Sequence, residues 1–265
     1  MSNRMLNYIK NCISQNGFLF AGVLDPENLG QYDIAAISKG MERGGVDVIL
    51  LGGSSGTDGE VVNEAAKALK ERVKIPIICF PGNVGGISKY TDAVLYLSVM
   101  NTESSYWGVQ ARVLMAPFIK RYNIEAIPAA YVLMEKGETA AWVSQARPVP
   151  RNLPYIAEYC ALAGEYSGAQ LCIMDSGSNS DLGIPIKSIK RVAESLSIPL
   201  IYAGGVSSCE EARDIIEAGA EGIQIGSFIE RSKNPEQLCR ELRMAMAEGV
   251  KRRRAVCDEW GEACV

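Results

Sequence analysis

Eight short apolar runs recur along the 265-residue chain, separated by amphipathic segments, and that alternation narrows the fold more than any motif does. The runs are FLFAGVL (18–24), DVILLG (47–52), PIICF (76–80), DAVLYLS (92–98), EAIPAAYVLM (125–134), AQLCIM (169–174), PLIYAG (199–204) and EGIQIG (221–226). Parallel strands buried on both faces need such near-continuous apolar character, and they need helical crossovers between them. Eight strand–helix units in about 250 residues predict an α/β chain folded as a (β/α)8 TIM barrel. One domain over 1–265 is expected, with a C-terminal tail from about 251.

The intervening segments carry helix start signals. Thr57 with Glu60 and Ser208 with Glu211 fit capping boxes, and Asn234-Pro235 puts proline at a first helical position. In IKSIKRVAESL, the residues Ile186, Ile189, Ala193 and Leu196 mark one helical face. Two stretches depart from the pattern. Residues 81–91, PGNVGGISKYT, are too few and too glycine-rich for a crossover helix, so the barrel is expected to be modified, with a loop between the third and fourth strands. The stretch YVLMEKGETAAWVS (131–144) reads as a β-hairpin around Lys136-Gly137, with the next helix starting near Asn152.

The chain has no histidine, which removes imidazole acid–base catalysis, Ser–His and Cys–His nucleophile systems and most zinc sites. Chemistry must then rest on carboxylates, hydroxyls, lysine, tyrosine, backbone amides or a hard metal ion. A net charge of −4 argues against nucleic acid as a partner. The start MSNRMLNYIKNCISQ lacks the apolar core of a signal peptide, and no run is long enough to span a bilayer, so a cytoplasmic protein is expected. The 8 cysteines are scattered with no CxxC pair and read as free thiols, Cys257 and Cys264 being the one pair close enough in the tail to bond.

Active sites of (β/α)8 barrels lie at the C-terminal ends of the strands. Those ends read Asp25-Pro26, Gly52-Gly53-Ser54-Ser55, Pro81-Gly82-Asn83, Ser98 to Asn101, Asp175 to Asn179, Ala203-Gly204-Gly205 and Gly226-Ser227. Small-residue turns after the sixth, seventh and eighth strands expose backbone N–H groups toward one point, which suits a phosphate. Asp25 and Ser54 offer hard oxygens on adjacent strands; Asp25 before Pro26 fits an Mg²⁺ ligand and a simple turn acid equally well. Tyr106 and Trp107 fit either a groove for an apolar chain or the core. The run Lys251-Arg252-Arg253-Arg254 fits peripheral contact with anionic lipid or a solvated helix end.

Taken in order, VLDPEN, LLGGSSG, CFPGN, DAVLYLSVMN, ARPVP, YAGGVSS and GAEGIQIGSFIE resemble the geranylgeranylglyceryl phosphate synthase family, with its bacterial heptaprenylglyceryl phosphate relatives, over residues 18–231. The resemblance implies an Mg²⁺-dependent prenyltransferase that joins a polyprenyl (geranylgeranyl) diphosphate to the hydroxyl of sn-glycerol 1-phosphate, giving an ether-lipid precursor. It implies Asp25 and Ser54 as metal ligands and Gly204, Gly205, Gly226 and Ser227 as the phosphate cradle. The segment Ile173, Met174, Asp175, Ser176, Gly177, Ser178 and Asn179 becomes the remaining acceptor site, with Asp175 as the catalytic base. Tyr106 and Trp107 become prenyl-groove residues, and a homo-oligomer is expected. The family's usual Tyr-Leu-Glu-Ala-Gly-Ser-Gly differs here: Ile173 replaces a phenol that would hydrogen-bond the acceptor, and Asp175 is one methylene shorter than Glu. An acceptor such as 3-phosphoglycerate, used by a divergent branch of the family, therefore stays open, as does a non-catalytic phosphate-binding barrel. A sugar-phosphate isomerase or aldolase is disfavoured, because the late strand ends hold neither Lys nor His.

Overall fold

Eight parallel strands pair in chain order and the eighth pairs with the first, so the sheet closes into the expected barrel. The computed structural model describes residues 3–27, 33–53, 58–178, 180 and 183–260; Ser54, Thr57, Asn179 and the tail beyond 260 lie outside them. The strands are β1 (Leu19–Leu24), β2 (Val48–Leu51), β3 (Ile77–Cys79), β4 (Ala93–Val99), β5 (Glu125–Leu133), β6 (Leu171–Asp175), β7 (Leu200–Ala203) and β8 (Gly222–Ile225). Around them run α1 (Arg4–Asn16), α2 (Ile34–Gly44), α3 (Gly59–Lys70), α4 (Ala111–Tyr122), α5 (Glu138–Ser144), α6 (Pro154–Tyr166), α7 (Ile186–Ser195), α8 (Cys209–Glu217), α9 (Ser227–Glu230) and α10 (Pro235–Trp260).

Strand alternation divides the core into two layers. Leu19, Ala21, Leu50, Leu95, Ala129, Leu171, Ile173 and Ile201 fill the barrel interior. Phe20, Ile49, Ile77, Val132, Cys172, Met174 and Ile223 face outward and pack under the helices. Between β3 and β4 the chain makes only a 3₁₀ turn, Val84–Gly86, as the short glycine-rich connection predicts. The chain before α4 winds through a π-helical turn, Tyr106–Gln110.

Several local expectations need correction. There is no hairpin at 131–144: β5 ends at Leu133, Glu135 and Gly137 both take positive φ, and α5 follows at once. Both edges of β5 are already taken by β4 and β6, so no edge remains for a returning strand. Asp58 caps α3, its Oδ1 accepting the Glu60 N–H at 2.9 Å. Ser208 caps α8 as expected, but the Glu211 carboxylate accepts from the Ser207 N–H rather than closing the box on Ser208. The buried face of α7 is Ser188, Ile189 and Val192; Ile186 is exposed, roughly 115° round the helix from the centre of that face.

α10 closes the seam between the chain's first and last units. It packs against both α2 and α8, and its Arg243 pairs with Asp47 at 3.1 Å, while Asp47 accepts the Phe20 N–H of β1. In the basic run near its end, Arg252 pairs with Glu217 and Glu248, and Arg253 donates to the carbonyls of Gly17 and Ala220 at the N-terminal end of the barrel. Among the described residues no helix is long and apolar enough to cross a membrane. Cys12, Cys79, Cys160, Cys172, Cys209 and Cys239 are free thiols.

Candidate active site

A cavity of about 760 Å³ opens at the C-terminal ends of the strands. Of the residues that the sequence proposes, Asp25, Asp175, Ser178, Gly204, Gly205, Gly226, Ser227 and Trp107 line it. The site thus draws on β1, β6, β7 and β8, which meet only because the sheet is closed.

Asp175 ends β6 with its side chain inward, in the alternation set by Leu171 and Ile173. It is 7% exposed. Tyr131 on β5 donates its hydroxyl proton to Oδ2 at 2.5 Å, and the Gly177 N–H donates to Oδ1 at 2.6 Å. Burial raises the Asp175 pKa above the ordinary carboxylate value, with the two donors pulling against it. The Tyr131 phenol, fully buried beside that carboxylate, is held well above its usual range, so it stays a donor. A carboxylate with a raised pKa at the floor of a cavity is suited to accepting a proton.

The turn after β7 is built around this carboxylate. Gly204 and Gly205 both adopt positive φ, +86° and +68°, which side chains rarely adopt. A β-carbon at Gly204 would stand 2.7 Å from Asp175 Oδ1, so only glycine lets the turn approach the acid. Gly226 and Ser227, after β8, complete the small-residue rim.

Other proposed residues do not reach the cavity. Met174 points outward into the helical layer, and Ile173 lies fully buried in the interior layer beneath the floor, because alternate strand residues face opposite ways. Ser176 is fully buried behind the rim; Gly177 serves through its N–H to Asp175. Tyr106 packs edge-on against Trp107 at 5.1 Å and supports it from the α4 side rather than lining the cavity.

Asp25, at the end of β1, is half-buried. Its Oδ1 accepts the Glu27 N–H at 3.0 Å, and its own N–H donates to Glu230 Oε1 at 3.2 Å. Thus it is a turn acid and a cavity acid at once. Burial, then the charge of Glu27, raises its pKa. The carboxylate lies against Gly53, where a β-carbon would come within 2.2 Å of Oδ2. Among the described residues there is no cluster of three or more metal-ligating acids or thiols.

Opposite the glycine rim the wall turns apolar. Phe80, Leu97, Val99, Trp107, Ala111 and Met115 line it, on the side where only a 3₁₀ turn joins β3 to β4. The sequence reading passed over Tyr131, Glu230 and Gln224. Gln224 was visible in principle as the lone polar side chain inside the apolar run EGIQIG. It is 6% exposed, lines the cavity, and its Oε1 is buried with no hydrogen-bond partner among the described residues.

Known proteins resemble this chain in sequence and in fold. Residues 13–246 match the model of the PcrB family. Geranylgeranylglyceryl phosphate synthase of Thermococcus sibiricus is 39% identical over 245 residues, covering 92% of this chain and 95% of the relative. The same enzyme of Thermococcus kodakarensis is 40% identical over 229 residues, covering 86% of this chain and 90% of the relative. The crystal structure of (S)-3-O-geranylgeranylglyceryl phosphate synthase from Thermoplasma acidophilum, in complex with its substrate sn-glycerol-1-phosphate, superposes with a TM-score of 0.86 at 30% identity, covering 94% of this chain and 100% of that one. The chain belongs to the PcrB family, together with the geranylgeranylglyceryl phosphate synthases.

Proposed function

We propose that the protein transfers a polyprenyl group, geranylgeranyl in the first instance, from its diphosphate to a hydroxyl of sn-glycerol 1-phosphate. The observation that carries this reading is the buried Asp175 carboxylate set against the Gly204-Gly205 turn on one side of the cavity, with a continuous apolar wall on the other. In the step, the allylic carbon–oxygen bond to diphosphate breaks and an ether carbon–oxygen bond forms. The hydroxyl proton passes to Asp175, and diphosphate leaves. Gly204, Gly205, Gly226 and Ser227 hold the acceptor phosphate, so the hydroxyl is presented to the base rather than found by diffusion. Phe80, Leu97, Trp107 and Met115 receive the prenyl chain and keep water from the developing allylic cation.

Asp25 is the residue that fits a divalent cation. Mg²⁺ favours one or two protein carboxylates plus water and substrate phosphate, so a single half-buried cavity acid suffices as a donor. Ser54 is the second ligand in this reading and lies outside the described residues. When bound there, Mg²⁺ would neutralise charge building on the departing diphosphate.

The test is incubation of the purified protein with prenyl diphosphates of several lengths and with sn-glycerol 1-phosphate, 3-phosphoglycerate or no acceptor, read by mass spectrometry. Ether product and released diphosphate with sn-glycerol 1-phosphate are expected. Product with 3-phosphoglycerate alone replaces the acceptor, and absence of product with every pair leaves only a phosphate-binding barrel.

A further inference from the structure

Asp175, Ala203 and Gln224 lie side by side on β6, β7 and β8, one rung of the barrel directly below the glycine rim. On its other side Gln224 is paired with Ala21 of β1. The two alanines leave the long amide side chain flanked by methyl groups, and the inward positions before and after it on β8 are Gly222 and Gly226. Ile201 and Leu19 fill the space beside Gly222, and the Gln224 side chain lines the cavity above them. Such a position in a barrel interior is ordinarily apolar, as Leu19, Leu171 and Ile201 show around it. A buried amide oxygen without a donor costs about 1–3 kcal/mol, and among the described residues Gln224 Oε1 has none.

We propose that Gln224 reads the non-reacting hydroxyl of the phosphorylated acceptor and so sets which small phosphate the site accepts. The inference rests on the prenyl-transfer reading and deepens it. A phosphate seated in the rim above this rung lets a three-carbon chain hang between Asp175 and Gln224. Asp175 meets the hydroxyl that is to react, at C3 of sn-glycerol 1-phosphate. The C2 hydroxyl is left for the amide, on the far side of Ala203. A hydroxyl both donates and accepts, so it satisfies Gln224 Oε1 and can receive from Nε2. A carboxylate in the same place accepts only, leaves Oε1 orphaned, and stands near the Asp175 charge. The rung therefore selects a phosphorylated vicinal diol over a phosphorylated hydroxy acid. Sites built to hydrogen-bond a substrate hydroxyl discriminate strongly against analogues lacking it.

The experiment compares sn-glycerol 1-phosphate with 3-hydroxypropyl phosphate, which keeps the C3 hydroxyl and lacks only the one at C2. Both are titrated calorimetrically without prenyl donor, and both are assayed for turnover with geranylgeranyl diphosphate. The proteins are wild type, Gln224→Met, which keeps the volume, and Gln224→Ala, which leaves room for water; thermal melts establish which variants fold. In wild type the diol should be favoured about 10- to 100-fold in affinity and in kcat/KM. In either folded variant that ratio should collapse toward one through weaker diol binding, with the deoxy analogue and the KM for the prenyl donor little changed. A merely structural glutamine would weaken both acceptors equally and keep the ratio. A wild-type ratio near one, a ratio that survives in the variants, or a wild-type preference for 3-phosphoglycerate overturns the assignment. Turnover that ignores Gln224 overturns it and leaves prenyl transfer standing. Gln224-dependent diol binding without ether product from any donor does the reverse, and failure to bind either acceptor removes both.

Discussion

Tyr131 on β5 and Asp175 on β6 are joined across neighbouring strands by a 2.5 Å hydrogen bond from phenol to carboxylate. The phenol opposes the upward push of burial on the acid. Tyr131→Phe removes that support, so Asp175 should titrate higher still. Because the reaction needs the carboxylate ionised, activity falls as pH drops through the raised pKa, and the acid limb of the pH–rate profile should move to higher pH in the variant. An unmoved acid limb would detach Tyr131 from the base.

Asp175→Asn keeps the shape of the floor and removes the proton acceptor. Loss of a general base costs about 10²–10⁴ in rate, so kcat should fall by that order with little change in the KM for the prenyl donor. Pre-steady-state turnover measured over a pH series checks it: the acid limb should vanish along with the rate. A variant that retains wild-type kcat would assign the base elsewhere.

Asp25→Asn should abolish transfer and yet stabilise the fold at neutral pH. The sign follows from the raised folded pKa of Asp25. Folding then favours the protonated form; the stability it contributes is full below the unfolded pKa and lost as pH rises through the folded one. Asn mimics the protonated acid, so the Tm gain over wild type should be present at pH 7 and shrink toward zero in the acid range. Chelation by EDTA should silence the parent enzyme to the same degree. A fully active Asn variant would remove Asp25 from the site.

The glycine rim should separate two kinds of damage. At Gly204 an alanine β-carbon would press on Asp175 Oδ1, so Gly204→Ala should lower kcat. At Gly226 φ is −111° and ψ −89°, and a β-carbon would meet Val23 Cβ at a tight 3.3 Å. Gly226→Ala, shown by thermal melt to fold, should raise the KM for the acceptor far more than that for the donor. Equal loss toward both substrates would point to a displaced strand rather than a blocked phosphate.

The strands were legible because parallel strands buried on both faces leave an apolar record, and all eight runs fall within a residue or two of the observed ones. The absence of a crossover helix between β3 and β4 was legible from the short, glycine-rich stretch 81–91. What failed was whatever depends on a neighbour in space. The proposed hairpin at 131–144 ignored that β4 and β6 already occupy both edges of β5. Strand alternation within 173–179, which turns Met174 outward and sinks Ile173 beneath the floor, was not read from the sequence. Tyr131 and Asp175 stand 44 residues apart, and no local pattern announces their bond. Gln224 did leave a mark, a polar residue in an apolar strand, but its meaning depends on Ala21 and Ala203 on the strands beside it.

The seam held by α10 has a consequence for how the chain is made. β1 has one partner nearby in sequence, β2, and one far away, β8, at residues 222–225. A nascent chain therefore carries an unpaired strand edge for most of its synthesis, and open edges invite pairing with other chains. Closure waits for segments late in this sequence: β8 pairs with β1, and α10 packs on α2 and α8 while its Arg243 reaches Asp47 beside β1. Newly made protein stopped short of residue 222 should expose that edge and aggregate, whereas chains extended through α10 should resist proteolysis, a difference that pulse-labelled translation with stalled lengths can resolve. Manufacture of this barrel is protected from its own first strand only once β8 has been made.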